Sequence, residues 1–252
     1  MTMVWLTALG VGGATIIGAV LGFAFKRLSH RFTDIVLSFA AGVMLAAAVI
    51  GLVLPSLDYG GKFALPVTVI GILCGALCLN FLDKLVPHLH KLSGVDQESH
   101  PEKTAQLNKI LLFVMAIAIH NLPEGIAAGV GFGTENTAEA ITIAAGIALQ
   151  NIPEGMVIIA PMLAAGMSPV RTFIAAMLTG VVEVLGTLMG YMAVTVSSAI
   201  LPFALAFAGG TMLYVISDEM IPETHAHGSE RGATYALLGG FCLMLAMSHY
   251  LG

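Results

Sequence analysis

The string His120-Asn121-Leu122-Pro123-Glu124-Gly125 returns thirty residues later as Gln150-Asn151-Ile152-Pro153-Glu154-Gly155. Imidazole, amide and carboxylate groups at this density are ligands for a divalent cation. On a helix, residues four apart share a face, so His120 and Glu124 point together, and so do Gln150 and Glu154. Asn121 and Asn151 stand about 100° further round. Each string therefore presents two adjoining polar edges. Two such helices can hold two ions side by side, with the glutamates between them. Both strings lie in the middle of apolar runs long enough to cross a bilayer. A carboxylate at that depth costs roughly 2.5–3.5 kcal/mol on insertion scales, so an intramembrane pair calls for a function. The thirty-residue offset supplies half a helix, a short turn and half of the next helix. It sets the strings at similar depth on antiparallel neighbours.

A third carboxylate, Glu183, stands about 12 residues, or ~18 Å, from the start of its own apolar run, level with the two strings. Gly186 and Gly190 follow it with the spacing of a small-residue packing face. Pro123 and Pro153 each remove a backbone donor and free the carbonyl four residues earlier, at Ile119 and Leu149. Interrupted helices in corresponding positions point to a transporter's binding site. The donors are oxygen and nitrogen without thiolate. Such a set suits zinc, cadmium, iron or manganese as bound and carried ions, with no catalytic cofactor. Emptied of metal, three clustered carboxylates in a low dielectric are expected to take up protons. Metal release should then be coupled to protonation of Glu124 and Glu154.

These groups must be positioned by membrane helices. The chain is 58% hydrophobic and 10% charged, against roughly 25% charged in ordinary soluble domains. No basic patch offers a nucleic-acid surface. The N-terminus has no Lys or Arg before its apolar stretch and no small-residue cleavage site, so it reads as a first span and not as a signal peptide. Apolar windows predict an all-α polytopic protein with eight transmembrane helices, near Val4–Phe25, Asp34–Leu57, Phe63–Leu85, Lys109–Phe132, Ala138–Leu163, Arg171–Val196, Leu201–Pro222 and Ala233–Tyr250. The fourth and fifth carry the prolines and are expected to be interrupted. The whole chain, 1–252, reads as one transmembrane domain with its longest connection at about 86–108.

Charge sets the sidedness. Lys26, Arg27, Arg31, Lys84, Lys91, Lys103, Lys109, Arg171 and Arg231 all fall at connections on one side of an eight-span chain. Only Lys62 falls on the other. Positive residues mark the cytoplasm, so both termini are expected outside. The long cytoplasmic connection carries His88, His90 and His100 beside Asp96, Glu98 and Glu102. It is either a solvated linker or a metal-collecting loop. Near the cytoplasmic end of the seventh span, Asp218, Glu219, Glu223, His225 and His227 form an expected exit path for the ion. Cys74, Cys78 and Cys242 read as small apolar filler in helices. Small-residue stretches at Ala40-Ala41-Gly42 and Ala46-Ala47-Ala48 allow close helix packing, within the chain or in a homodimer.

At the paired strings the chain resembles the ZIP family of divalent metal transporters, and most of all its GufA-like bacterial branch. The resemblance implies a binuclear centre. His120, Glu124, Gln150 and Glu154 would form one site. Asn121, Asn151 and Glu183 would form the second, with Glu124 and Glu154 bridging. It also implies zinc uptake into the cytoplasm through the cell membrane by alternating access, spans one, four, five and six sliding against two, three, seven and eight. Asp218 and Glu219 match the inner release route. Gln150 and Asn151 depart from the family's commonest second signature, which begins with His and an acid. Two rival readings, an exporter or proton antiporter and a sensor, share the same ligands. An intramembrane metalloprotease would need a string such as H-E-x-x-H, which is absent from the sequence.

Overall fold

A computed structural model describes residues 1–25, 29–92, 115, 118–134, 136–164 and 166–252, with the backbone alone at 83 and 85–92. The described residues form helices joined by short connections. We label the long ones α1 (Thr2–Ala24), α2 (His30–Tyr59), α3 (Ala64–Leu92), α4 (118–131), α5 (Thr137–Ala164), α6 (Pro169–Val196), α7 (Ser198–Thr224) and α8 (Glu230–Leu251). Among the described residues, seven helices are long and apolar enough to cross a membrane. The α4 stretch stands where the fourth predicted span lies. Several starts follow from local chemistry. The Ser168 hydroxyl accepts from the Arg171 amide, and Pro169 opens α6. The Asn136 side chain accepts from the amides of Ala138 and Glu139 at the head of α5. Each cap satisfies donors that the first helical turn leaves orphaned.

The outward faces carry apolar stripes at helical spacing. Leu73, Leu77 and Phe81 on α3 are exposed, as are Leu178, Leu185 and Met192 on α6. Stripes of this extent fit a lipid solvent and not water. Because lipid is as apolar as a side chain, helices in it associate through close packing. Here the packing is backbone on backbone. Gly12 and Gly180 meet where α1 crosses α6, Gly155 lies against the Thr15 backbone of α1, and Gly125 and Gly186 meet where α4 crosses α6. Those contacts knit α1, α4, α5 and α6 into one group. Gly42 and Gly240 join α2 to α8, while Gly75 and Gly210 join α3 to α7. With α2 also packed on α7, these four make a second group. The groups also touch each other, Gly51 of α2 against Ile143 of α5 and Gly146 of α5 against Met244 of α8.

The structure departs from the sequence reading in three respects. First, α4 and α5 are not interrupted: Pro123 and Pro153 lie within continuous helical turns. Tight packing on both flanks holds the turns, so each proline removes one bond without breaking the helix. Second, α3 runs to Leu92, past the predicted end at Leu85. Leu85, Leu89 and Leu92 keep a three-to-four spacing after hydropathy has fallen, and hydropathy marks where lipid ends, not where a helix does. His88 and His90 therefore stand on helical backbone; their side chains, and all of His100, lie outside the described residues. Third, α2 and α7 each contain a π-helical stretch, Ala47–Val53 and Ile216–Met220, ending just before Pro55 and Pro222. A proline that cannot donate widens the preceding turn. The close packing expected of the small-residue stretches is present within the chain, where Ala40, Ala41, Gly42, Ala46, Ala47 and Ala48 are buried.

Candidate metal site

The polar residues of both strings gather where the two helix groups meet. His120, Asn121, Glu124, Gln150 and Asn151 are buried, as is Glu183, while Glu154 is half-buried. Glu183 is the centre of a hydrogen-bonded cluster. Its Oε1 accepts from the Thr15 hydroxyl at 2.7 Å and from the Asn121 amide. Its Oε2 accepts from the Asn151 amide at 2.7 Å. The same Asn151 amide donates to the Val11 carbonyl at 3.3 Å. The Gly125–Gly186 crossing is what brings Glu183 this close to α4. A methyl group at Gly125 would collide with the Glu183 carbonyl.

The other half of the donor set is largely unsatisfied. Both Glu124 oxygens, both Gln150 side-chain atoms and the Oδ1 atoms of Asn121 and Asn151 have no hydrogen-bond partner among the described residues. Gln150, Glu154 and Glu183 all lie within electrostatic reach of Glu124, although the Gln150 amide misses hydrogen-bond geometry. A buried polar atom without a partner costs about 1–3 kcal/mol, and more when it is charged. Five of these six atoms are oxygens, the complement of a cation that accepts from several lone pairs at once; the sixth, the Gln150 amide nitrogen, is a hydrogen-bond donor. Among the described residues, no three His, Cys, Asp or Glu side chains are drawn in around a single point. His120, Glu124 and Glu154 line one side of a cavity of about 550 Å³ and Asp218, Glu219 and Glu223 the other; Asn121, Gln150, Asn151 and Glu183 are not part of its lining.

One contact spans the two helix groups across this cavity: His120 Nε2 lies 2.9 Å from Glu219 Oε1. Asp218 and Glu219 sit in the widened turn of α7, and Glu223 follows Pro222. The cavity opens toward the C-terminal end of α7. In the opposite direction it is closed by Ala47, Leu52, Ala127, Ile143, Ile147 and Leu205, all buried in one apolar cluster. These residues follow the site in α2 and α4 and precede it in α5 and α7, so all of them stack on one side of it.

Of the expected exit residues, Asp218, Glu219 and Glu223 line the cavity; His225 and His227 do not. His225 Nδ1 lies 2.9 Å from the Ile221 carbonyl and its Nε2 3.2 Å from the Thr234 hydroxyl. His227 turns onto Asp34 of α2. Sequence reasoning missed Thr15. Its signal was a lone hydroxyl among glycines in the middle of the first span. Replacing it by valine keeps the shape and removes a donor to a buried carboxylate, worth about 1.5–3 kcal/mol. Thr15→Val should therefore lower zinc flux several-fold with little change in folded yield, as measured by uptake per reconstituted protein.

A bundle of lipid-facing helices enclosing an oxygen- and nitrogen-lined cavity open at one end defines a polytopic membrane protein built around a polar site. The chain matches the ZIP zinc transporter family over residues 90–248. It is 40% identical over 253 residues to the zinc transporter GufA of Myxococcus xanthus, covering 98% of both chains. It is 39% identical to the zinc transporter ZIPB of Bordetella bronchiseptica over 95% of its own length and 78% of that protein's. With the human zinc transporter ZIP11 it shares 32% identity over 95% of its length and 94% of the relative's. The chain belongs to the ZIP family.

Proposed function

We propose that this protein carries divalent metal ions, zinc foremost, through the cell membrane into the cytoplasm. The observation that carries this reading is the set of buried oxygens on Glu124, Gln150, Asn121 and Asn151 that have no hydrogen-bond partner among the described residues, with Glu124 lining the cavity. His120, Glu124, Gln150 and Glu154 hold one ion. Asn121, Asn151 and Glu183 hold a second, with Glu124 and Glu154 bridging. For the second ion, the Asn121 and Asn151 amides rotate so that oxygen replaces nitrogen toward the metal. All the relatives named above are called zinc transporters, and the donor chemistry admits zinc.

Direction follows from the charges. The cavity opens at the end where α1 finishes and α2 begins, beside Arg31 and Arg231, the side that positive residues assign to the cytoplasm. With eight spans, both termini lie outside. Asp218, Glu219 and Glu223 pass the ion outward from the site to the cytoplasm. The backbone contacts within each helix group make the groups rigid, so access alternates by movement of α1, α4, α5 and α6 against the rest. The protein works as a carrier and not as an enzyme. Cells expressing it should accumulate zinc and lose growth at high external zinc. Zinc resistance would instead make it an exporter, and no change in either would overturn transport.

A further inference from the structure

Outside the cavity, His30, Asp34 and His227 lie near its mouth in pairwise contact, without being drawn in around a single point. Asp34, on the first turns of α2, is 2% exposed, yet it is an acid. Its Oδ1 lies 3.0 Å from His227 Nδ1, and its Oδ2 has no hydrogen-bond partner among the described residues. His30, one turn before Asp34, stacks on His227 with ring centroids 4.9 Å apart and planes 27° from parallel. Both rings are exposed. The group lies beside the route out. Leu37, three residues after Asp34, and Glu223, four residues before His227, both line the cavity.

A plain ion pair accounts for part of this. A protonated His227 beside Asp34 would satisfy one carboxylate oxygen. It leaves the other oxygen buried without a partner among the described residues, and gives no role to the second imidazole. A divalent ion satisfies all three. Two imidazoles and one carboxylate are a zinc ligand set with an open fourth position. Two ligands bonded at zinc distances from a tetrahedral ion lie about 3.3 Å apart. The separation of His227 Nδ1 from Asp34 Oδ1 is close to that. Imidazoles sharing such an ion have centroids about 5 Å apart. His30 alone has to turn, and its exposure lets it.

We propose that His30, Asp34 and His227 form a divalent-cation site on the cytoplasmic face, separate from the cavity, that takes up an ion leaving Glu223. Its three ligands bridge the start of α2 and the α7–α8 connection. An ion there ties these two segments of one helix group together beside the exit.

The test is cobalt binding by the purified full-length protein in detergent, read by bound metal per chain and by the visible absorption of coordinated Co²⁺. The His30→Gln/His227→Gln variant should bind about one Co²⁺ fewer than the wild type and lose one absorption component. The Glu124→Gln/Glu154→Gln variant should keep that component. Both histidines are surface residues, and His30→Gln alone, which leaves the Asp34–His227 contact in place, should weaken the same component at least tenfold. Equal stoichiometry and spectrum in wild type and both histidine variants would overturn the site. Because the readout needs no flux, failure of the transport reading and failure of this site are told apart.

Discussion

Zinc uptake by liposomes carrying Glu154→Ala is expected to fall more than tenfold, to near the level of protein-free vesicles. Glu154 is the carboxylate of the second string that lines the cavity, and both His120 and Glu219 act on its charge. It therefore faces both helix groups. Alanine removes a carboxylate from the cavity wall and leaves His120 and Glu124 lining an enlarged space. Loss of one charge-assisted contact is worth about 1.5–3 kcal/mol, and each 1.4 kcal/mol is a factor of about ten in affinity. Glu154→Asp keeps the charge and shortens the reach by one methylene, so it should retain part of the flux. Unchanged uptake by the alanine variant would mean that the ions pass elsewhere, and would defeat the assignment of the cavity.

The second large effect concerns a residue with no side chain. Gly125→Ala should destabilise the protein by about 1–3 kcal/mol and lower flux by an order of magnitude, whereas Gly10→Ala should leave both unchanged or raise stability slightly. A Cβ at Gly125 falls on the backbone of Glu183, which cannot move aside as a flexible side chain could. At Gly10 it meets nothing within 4 Å. Overpacking a tight contact costs about 1–3 kcal/mol, while alanine in a helix is favoured over glycine by about 0.5–1 kcal/mol. The two variants thus share a local propensity gain and differ only in what the methyl group meets. Thermal unfolding in detergent and liposome uptake measure both. A Gly125 variant as stable and active as the Gly10 variant would show that the α4–α6 crossing does not hold the site.

The two strings were legible because their chemistry is repeated and costly. An Asn-Leu/Ile-Pro-Glu-Gly pair at membrane depth has few explanations. Glu183 was legible from depth alone, since a run of apolar residues of known rise fixes a carboxylate's height. What hydropathy could not supply was lateral position. Nothing in the sequence says which face of α1 meets α6, so nothing set Thr15 apart from Thr7 in the same span. The same limit hid the difference between Glu223, which lines the cavity, and His227, which turns away from it onto Asp34. The widened turns in α2 and α7 were hidden for another reason. A proline announces that a donor is missing, but the surrounding packing decides whether the helix breaks, kinks or widens. In α4 and α5 the packing held the turns; before Pro55 and Pro222 the turns widened.

The apolar closure formed by Ala47, Leu52, Ala127, Ile143, Ile147 and Leu205 has an electrical consequence. A cavity reached by solvent from one side is nearly equipotential with that side, so the membrane voltage drops across the short dry barrier and not across the full bilayer. One elementary charge crossing 100 mV gains or loses about 2.3 kcal/mol, and a bare divalent ion twice that. An ion moving between Glu154 and Glu223 would cross almost none of that voltage, so a voltage-sensitive flux would report passage across this barrier.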